Sequence, residues 1–344
     1  MKQNKLVSII IVNWNGMKWL SDCFNSLARQ DWEKYEIIFV DNASHDGSVN
    51  WVRKHYPKTK VFINKKNLGF ADANNVGFRK ARGKYVLFLN NDTRVTKTFL
   101  SVLVQFLEQH KDVAGVQSKL LLMDRSDRLD AVGAFFTNTG FLYHYGFHAK
   151  DSEKLDKIID IYTAKGACMM FKKSTLDRIT INGDIFDPSY FAYFEETDMC
   201  HRVWLNGYRI QYVPQSVIYH KAGGTSAAMN NSFIQHHSFK NRIQSYLTNL
   251  GLRKLLVLMP VHLLLTLGFA FVAFIRGKWR LGIAIINAIY WNIGHLKVTI
   301  VKRSYVQTHI RKRSDSSLFA HIVRSPGFFY YLKLARGLSL YQHE

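Results

Sequence analysis

Cysteine is scarce in this chain, and the three present stand far apart. Cys23, Cys168 and Cys200 form no C-x-x-C pair, and an odd number cannot all be bridged. That argues against a disulfide framework or a zinc site and for a reducing compartment. Several signatures of ligand chemistry are missing as well. The first turn reads NWNGMKW instead of G-x-G-x-x-G, which removes the dinucleotide fingerprint. No G-x-x-x-x-G-K-[ST] occurs, so a P-loop is excluded, and no G-x-S-x-G elbow marks a hydrolase. There is no internal repeat or low-complexity segment.

Acids are almost absent from one part of the chain. Residues 227–344 carry 16 Lys/Arg against two acids, Asp315 and Glu344, whereas residues 1–226 carry 31 against 23. The net charge of +22 therefore sits mainly in the last third, which also holds the longest apolar runs. Basic charge mixed with apolar helix points to an anionic membrane surface before nucleic acid. The start, MKQNKLVSIIIVNWNG, has a short apolar run and no small-residue cleavage site, so a first β-strand explains it better than a secretory signal.

What is present is alternation. Strand patterns at 6–13, 35–41, 60–64, 84–90 and 113–117 are separated by helical patterns near 17–30, 46–56, 70–82 and 96–110. This predicts an α/β fold with a mostly parallel sheet. Residues 118–160 are irregular and read as an inserted hairpin or loop, 162–173 as a strand, 195–207 as a helix, and YRIQYVP and SVIYH as two short strands. In open α/β sheets, ligands bind beyond the carboxyl ends of the strands. Those ends carry Asn13, then Asp41 and Asn42, then 64–67 with Asn67, then Asn90, Asn91 and Asp92. Asn and Asp terminate strands well, but four polar ends in succession favour a polar ligand. Carboxylates at Asp41 and Asp92 suit Mg²⁺ or Mn²⁺ bridging to phosphates, and hence a nucleotide diphosphate. Ser44 and Asp46 are also placed to cap the following helix.

Six stretches in order, VSIIIVNWN, FVDNASHDGS, NLGFADANNVGFRKARGKYVLFLNNDT, GACMMFKK, FDPSYFAYFEETDMCHRVWLNGYRI and VIYHKAGGTS, resemble the inverting family 2 glycosyltransferases of the GT-A fold, particularly the rhamnosyltransferase-like branch. The resemblance covers residues 6–226. It implies that Asn13 and Asp41 contact the nucleotide, Asp41 against the pyrimidine, with Asn42 and Asn67 lining the pocket. Asn90, Asn91 and Asp92 stand where the family has its D-x-D element, with Asp92 on the metal and His220 as second ligand. The amide at Asn90 departs from the strict motif and lowers the charge of the site. Without the resemblance, His220 reads as an ordinary strand-end histidine.

On residues alone, the acids of FEETD (194–198) are best explained as partners of a helix N-terminus. The aromatic stretch before them offers another reading, since desolvation raises a carboxylate towards general-base range. The resemblance implies that Glu196 is that base. The implied partners are a nucleotide-sugar donor, with dTDP-rhamnose as first candidate, a glycan or lipid-linked acceptor, and Mg²⁺ or Mn²⁺. A sugar nucleotidyltransferase and a non-catalytic membrane-surface binding protein that keeps the fold are the alternatives.

The expected organisation is a catalytic domain at 1–226 and a helical membrane-associating region at 227–344. Residues 255–275 are largely apolar with His262 the only titratable group, and a helix of that length reaches roughly 31 Å, enough to span a bilayer. The following loop RGKWR would then carry three positive charges to the outside, against the positive-inside tendency. Pro260 is expected to kink the helix. A re-entrant or in-plane helical pair at the cytoplasmic face of the cell membrane is therefore favoured over a spanning hairpin or buried core helices. The tail from 324 to 341 mixes basic and aromatic residues as interfacial segments do.

Overall fold

The run VSIIIVN forms the first strand because its β-branched residues pack well on a pleated surface. In the computed structural model, which describes residues 5–221, 230–327 and 330, it is β1 (Val7–Asn13). Then follow α1 (Met17–Leu27), β2 (Tyr35–Asp41), α2 (Ser48–His55), β3 (Lys60–Ile63), α3 (Gly69–Lys80) and β4 (Tyr85–Leu89). Next come β5 (Thr93–Val95), α4 (Phe99–Gln109), β6 (Val113–Leu122), β7 (Leu129–Ala131), β8 (Gly133–Phe135) and β9 (Tyr143–Tyr145). The remainder comprises β10 (Ile159–Asp160), β11 (Cys168–Lys172), α5 (Lys173–Arg178), α6 (Glu195–Leu205), β12 (Arg209–His220) and five helices. Those are α7 (Asn231–Asn249), α8 (Leu252–Ile275), α9 (Trp279–Gly294), α10 (Leu296–Tyr305) and α11 (Asp315–Ile322).

The main sheet runs β10-β12-β6-β11-β4-β1-β2-β3. Strands β3, β2, β1, β4, β6 and β12 share one direction, and β11 is reversed between β4 and β6. Both faces are covered, which explains the continuous apolar runs. Successive residues alternate between two cores: Ile9 and Ile11 pack with α1 and α4, while Ile10 packs with α3 and α6. β4 does the same, with Leu87 and Leu89 on one side and Val86 and Phe88 on the other.

Two expectations need correction. The stretches YRIQYVP and SVIYH are one strand, β12, whose register against β6 shifts between Val213 and Val217. Pro214 lies at that irregularity, where a missing N–H does no harm. Residues 118–122 are not irregular either: they prolong β6, and the hairpin of β8 and β9 begins only later.

The core does not stop at residue 226. Ile243, Tyr246, Leu250, Leu258, Met259, Val306, Ile310, Leu318 and Ile322 belong to the same buried cluster as Cys200, Val203 and Tyr212. Helix α9 packs against both α7 and α8. Phe141, Phe239, Ala270, Ala273, Leu281, Ile285 and Ala288 fill their junction. Helix α8 is long and apolar enough to cross a membrane by length and composition, and it continues through Pro260. One stripe of it is buried (Leu258, His262, Thr266, Ala270, Ala273). The opposite side leaves Leu256, Leu264 and Phe271 66%, 71% and 64% exposed.

Candidate active site

The sheet's parallel strands deliver their carboxyl ends to one edge, and the polar residues there meet. Asn13 is the hub. Its Nδ2 donates to Asp41 Oδ1 (3.0 Å), Ser44 Oγ (3.1 Å) and Ser48 Oγ (2.9 Å), and its Oδ1 accepts from Asn91 Nδ2 (2.7 Å). The register of β1 and β2, which sets Asn13 beside Asp41, brings this about. A Cβ on Gly16 would collide with Asn91 and Asn13, so glycine is required there. Asp41 is fully buried, and its Oδ2 accepts from the Ser44 amide (2.8 Å). Asp46 accepts from the amides of Met17 (2.7 Å) and Ser48 (3.1 Å), tying the first turns of α1 and α2 together. A second group lies beside this one: Asn42 Nδ2 donates to Gly69 O (3.0 Å), and Asn67 Oδ1 accepts from the Gly69 amide (2.8 Å). Asn90 is fixed through its backbone, its N–H donating to Ala167 O (3.0 Å) and its carbonyl accepting from Thr93 Oγ1 (2.7 Å). These amides cross-link the loops that wall the crevice.

The metal candidates come together as well. Pairing of β5 with β12 sets Thr93 opposite His220 and carries Asp92 alongside. His220 Nε2 lies 3.3 Å from Asp92 Oδ1, yet that buried oxygen has no hydrogen-bond partner. On the other side of the ring, His220 Nδ1 lies 2.7 Å from Asp130 Oδ2, and Asp130 Oδ1 is ion-paired with Lys165. Burial alone would lower the imidazole pKa, but Asp130 and Asp92 raise it to about 9. Burial alone would raise the Asp130 carboxyl, but Lys165 and His220 hold it well below the usual range. The donor set fits a hard divalent ion. A carboxylate oxygen with no formed hydrogen bond faces an imidazole nitrogen at 3.3 Å, and a carboxylate fixes the far side of that imidazole as in metal sites generally. Among the described residues no group of three or more ligands is arranged to hold an ion alone, so phosphate oxygens would complete the set.

Asp130 and Lys165 escaped the sequence reading. Asp130 is a carboxylate within the apolar run LDAVGAFF, and Lys165 is the cation before β11. A lone carboxylate within an apolar run is the only local signal, and the partners of Asp130 lie 35 and 90 residues away.

The acids of α6 separate by role. Asp198 is bound to Arg202 (3.0 Å) and to Asn249 Nδ2 (2.7 Å) inside the core. Glu195 is buried and Glu196 partly exposed, and each has an Oε2 without a hydrogen-bond partner. Burial pushes the Glu195 carboxyl well up, and the neighbouring Glu196 pushes it further. Burial also raises Glu196, and the Lys165 ammonium opposes the rise. Of the two, Glu196 is the less buried. A helix N-terminus receives these acids, as the capping reading required. Residues 222–226 of the last quoted motif lie outside the described residues.

The glycosyl transferase family 2 model matches residues 8–180. TarS of Staphylococcus aureus strain Mu50, a poly(ribitol-phosphate) β-N-acetylglucosaminyltransferase, is 30% identical over 118 residues, covering 33% of this chain and 21% of that protein. The chain thus matches about a fifth of that relative's length. Rhamnosyltransferase WbbL of Escherichia coli K12 is 28% identical over 224 residues, covering 61% of this chain and 81% of WbbL. Among solved structures, S. aureus TarS 1–349 in complex with UDP superposes with a TM-score of 0.54 at 20% identity, over 91% of this chain and 89% of that one.

Proposed function

The chain belongs to glycosyl transferase family 2, whose members transfer sugar from nucleotide-sugar donors, and from that premise we propose a metal-assisted, inverting transfer at a membrane surface. The donor in this reading is dTDP-rhamnose, and the acceptor is a glycan or lipid-linked saccharide. One observation carries the reading: the buried Asp92 Oδ1 faces only His220 Nε2, at 3.3 Å and without a formed hydrogen bond, and Glu196 keeps a buried Oε2 that accepts no hydrogen bond. Unpaired buried acceptors are expensive and therefore signal a missing ligand.

Asp92 and His220 would hold Mg²⁺ or Mn²⁺, which when bound supplies positive charge against the leaving diphosphate. Asn13, Asp41, Asn42, Asn67, Asn90 and Asn91 form the nucleotide wall. Glu196 takes the proton from the acceptor hydroxyl. That oxygen attacks the anomeric carbon from the face opposite the diphosphate, the sugar–phosphate bond breaks, and the configuration inverts. The likeness to WbbL supports rhamnose, whereas the UDP-bound neighbour makes a uridine donor the competitor to test.

The same reading sets the chain on the cytoplasmic face of the cell membrane, lying along it through α8 and α9. Supporting this, α8 touches the catalytic body along its length: His262 Nδ1 bonds Thr139 O (3.0 Å) and Phe269 packs edge-on against Phe141. A helix so attached lies beside the protein with its apolar side outward, as interfacial helices do. The function is tested by measuring thermal stabilisation of the detergent-solubilised chain by dTDP-rhamnose, UDP-sugars and other nucleotide sugars, then the anomeric configuration of the product by NMR. Stabilisation by dTDP-rhamnose and an inverted product are expected. A retained configuration would sink the mechanism, and response to uridine donors only would replace rhamnose.

A further inference from the structure

The segment before the candidate base is strained. Phe191, Tyr193 and Phe194 all sit at positive φ (62°, 70° and 73°), where non-glycine residues are uncommon. Such conformations persist only when surrounding structure over-determines them, and they cluster at functional sites. Glu195 and Glu196 follow immediately.

What imposes the conformation comes from α7, outside the residues matched by the family model. The Asn241 side chain is fully buried, and its Nδ2 faces three consecutive-loop carbonyls: Tyr190 (3.1 Å), Ala192 (3.0 Å) and Tyr193 (2.6 Å). His237 Nδ1 meets the Tyr190 carbonyl (3.0 Å), and Lys240 Nζ donates to Ser189 O (2.6 Å). The remaining carbonyl, of Phe191, turns the other way and accepts from the Ala71 amide (3.0 Å). There Gly69 approaches so closely that a Cβ would collide with that oxygen. The loop is thus held between the start of α3, where Asn42 and Asn67 bond Gly69, and one face of α7.

We propose that Asn241 is a positioning residue for the transfer reaction: its amide fixes the strained loop so that Glu196 stands at the acceptor hydroxyl. This rests on Glu196 being the base. The amide is suited to the task because one Nδ2 reaches the carbonyls of Tyr190, Ala192 and Tyr193 together, and its rigid plane allows little freedom.

The full chain is compared in four forms: unaltered, Asn241→Leu, His237→Phe and Glu196→Gln. Each is measured for kcat of transfer, for dissociation constant of the donor's nucleoside diphosphate, and for thermal unfolding. Asn241→Leu keeps the shape and loses the donors; its kcat should fall about 10²-fold, the effect of a small misplacement of reacting groups. Nucleotide affinity should stay within about twofold, because the donor wall is untouched. His237→Phe removes one bond to the same loop and keeps the ring packed beside Phe191 and Phe233, so it should show the same split at roughly a tenth of the size. Unchanged kcat in Asn241→Leu overturns the proposal, and so does a parallel loss of kcat and nucleotide affinity, which would mean a purely structural role. If Asn241→Leu does not fold, His237→Phe decides by the same split. Full activity in Glu196→Gln would instead overturn the base assignment.

Discussion

The sheet region and the helical region bury opposite things. In residues 5–221 the two sheet faces pack against apolar clusters, and a group of buried polar side chains gathers at strand ends, where Asn13 bonds both Asp41 and Asn91. In residues 230–327 the order is reversed twice. Helix α7 turns Asn231, Gln235, Lys240, Asn241, Gln244, Ser245, Thr248 and Asn249 inward, while α8 turns leucine and phenylalanine outward. The first reversal has a structural cause. Where α7 faces the 189–193 loop, His237, Lys240 and Asn241 supply donors to its backbone carbonyls, because buried carbonyls must be paired, and Asn249 serves the buried Asp198 carboxylate. The second has no such cause among the described residues. Burial of polar groups therefore follows what the neighbouring backbone lacks, and exposure of apolar groups follows what the neighbouring solvent is.

The hardest blow to the sheet region's role should come from Glu196→Gln. It keeps size and hydrogen bonding but cannot take a proton, so transfer should fall by about 10²–10⁴ while nucleotide binding survives. Asp198→Asn should act through stability instead, because it unpairs buried Arg202. The pH profile carries a sign. Glu196 must be ionised to act, and its pKa is raised by burial against the opposing Lys165. Turnover should therefore rise with pH through a point above the ordinary carboxylate range, and that rising limb should vanish in Glu196→Gln. A rate that falls with rising pH over that interval would refute the base.

Next in size is Asp92→Asn. The substitution preserves shape and removes the charge that faces His220, so transfer should fall by about 10²–10³ with the fold intact. Loss of measured Mn²⁺ affinity in the presence of the nucleotide should accompany it. A variant fully active in excess chelator would break the link between this crevice and a divalent ion.

Much of this was legible in the linear chain, and the failures are instructive. The runs that became β1 and β4 were readable because strands covered on both faces are continuously apolar, and their polar ends stood out against them. β5 was missed, since three residues, Thr93–Val95, carry no pattern of their own and exist through pairing with β12. Asp130 and Lys165 were invisible because their meaning lies in partners far along the chain. Helix α7 gave no apolar periodicity for the same reason it matters: its inward face is chosen for donors. The long apolar run at 255–275 was plain, but its pose against Thr139 and Phe141 depends on contacts no local pattern encodes.

The smallest expected effect on turnover, and the sharpest test of the helical region, concerns the outward side of α8. Deleting everything after residue 226 would be a poor test, because it strips Ile243, Tyr246 and Leu250 from the shared core. Replacing Leu256, Leu264 and Phe271 with serine leaves that core alone. All three are more than half exposed, and surface changes of this kind usually alter stability by no more than about 0.5 kcal/mol each. Turnover on a short soluble acceptor should hardly change. Binding to vesicles of anionic lipid should weaken strongly, since each of these side chains contributes roughly 1.5–3 kcal/mol when taken out of water. Salt should release the unaltered chain poorly and the triple variant easily, because apolar burial is not screened as charge is. Flotation of both forms at low and high salt measures this. Equal flotation of the two would mean that the exposed side of α8 meets something other than a bilayer.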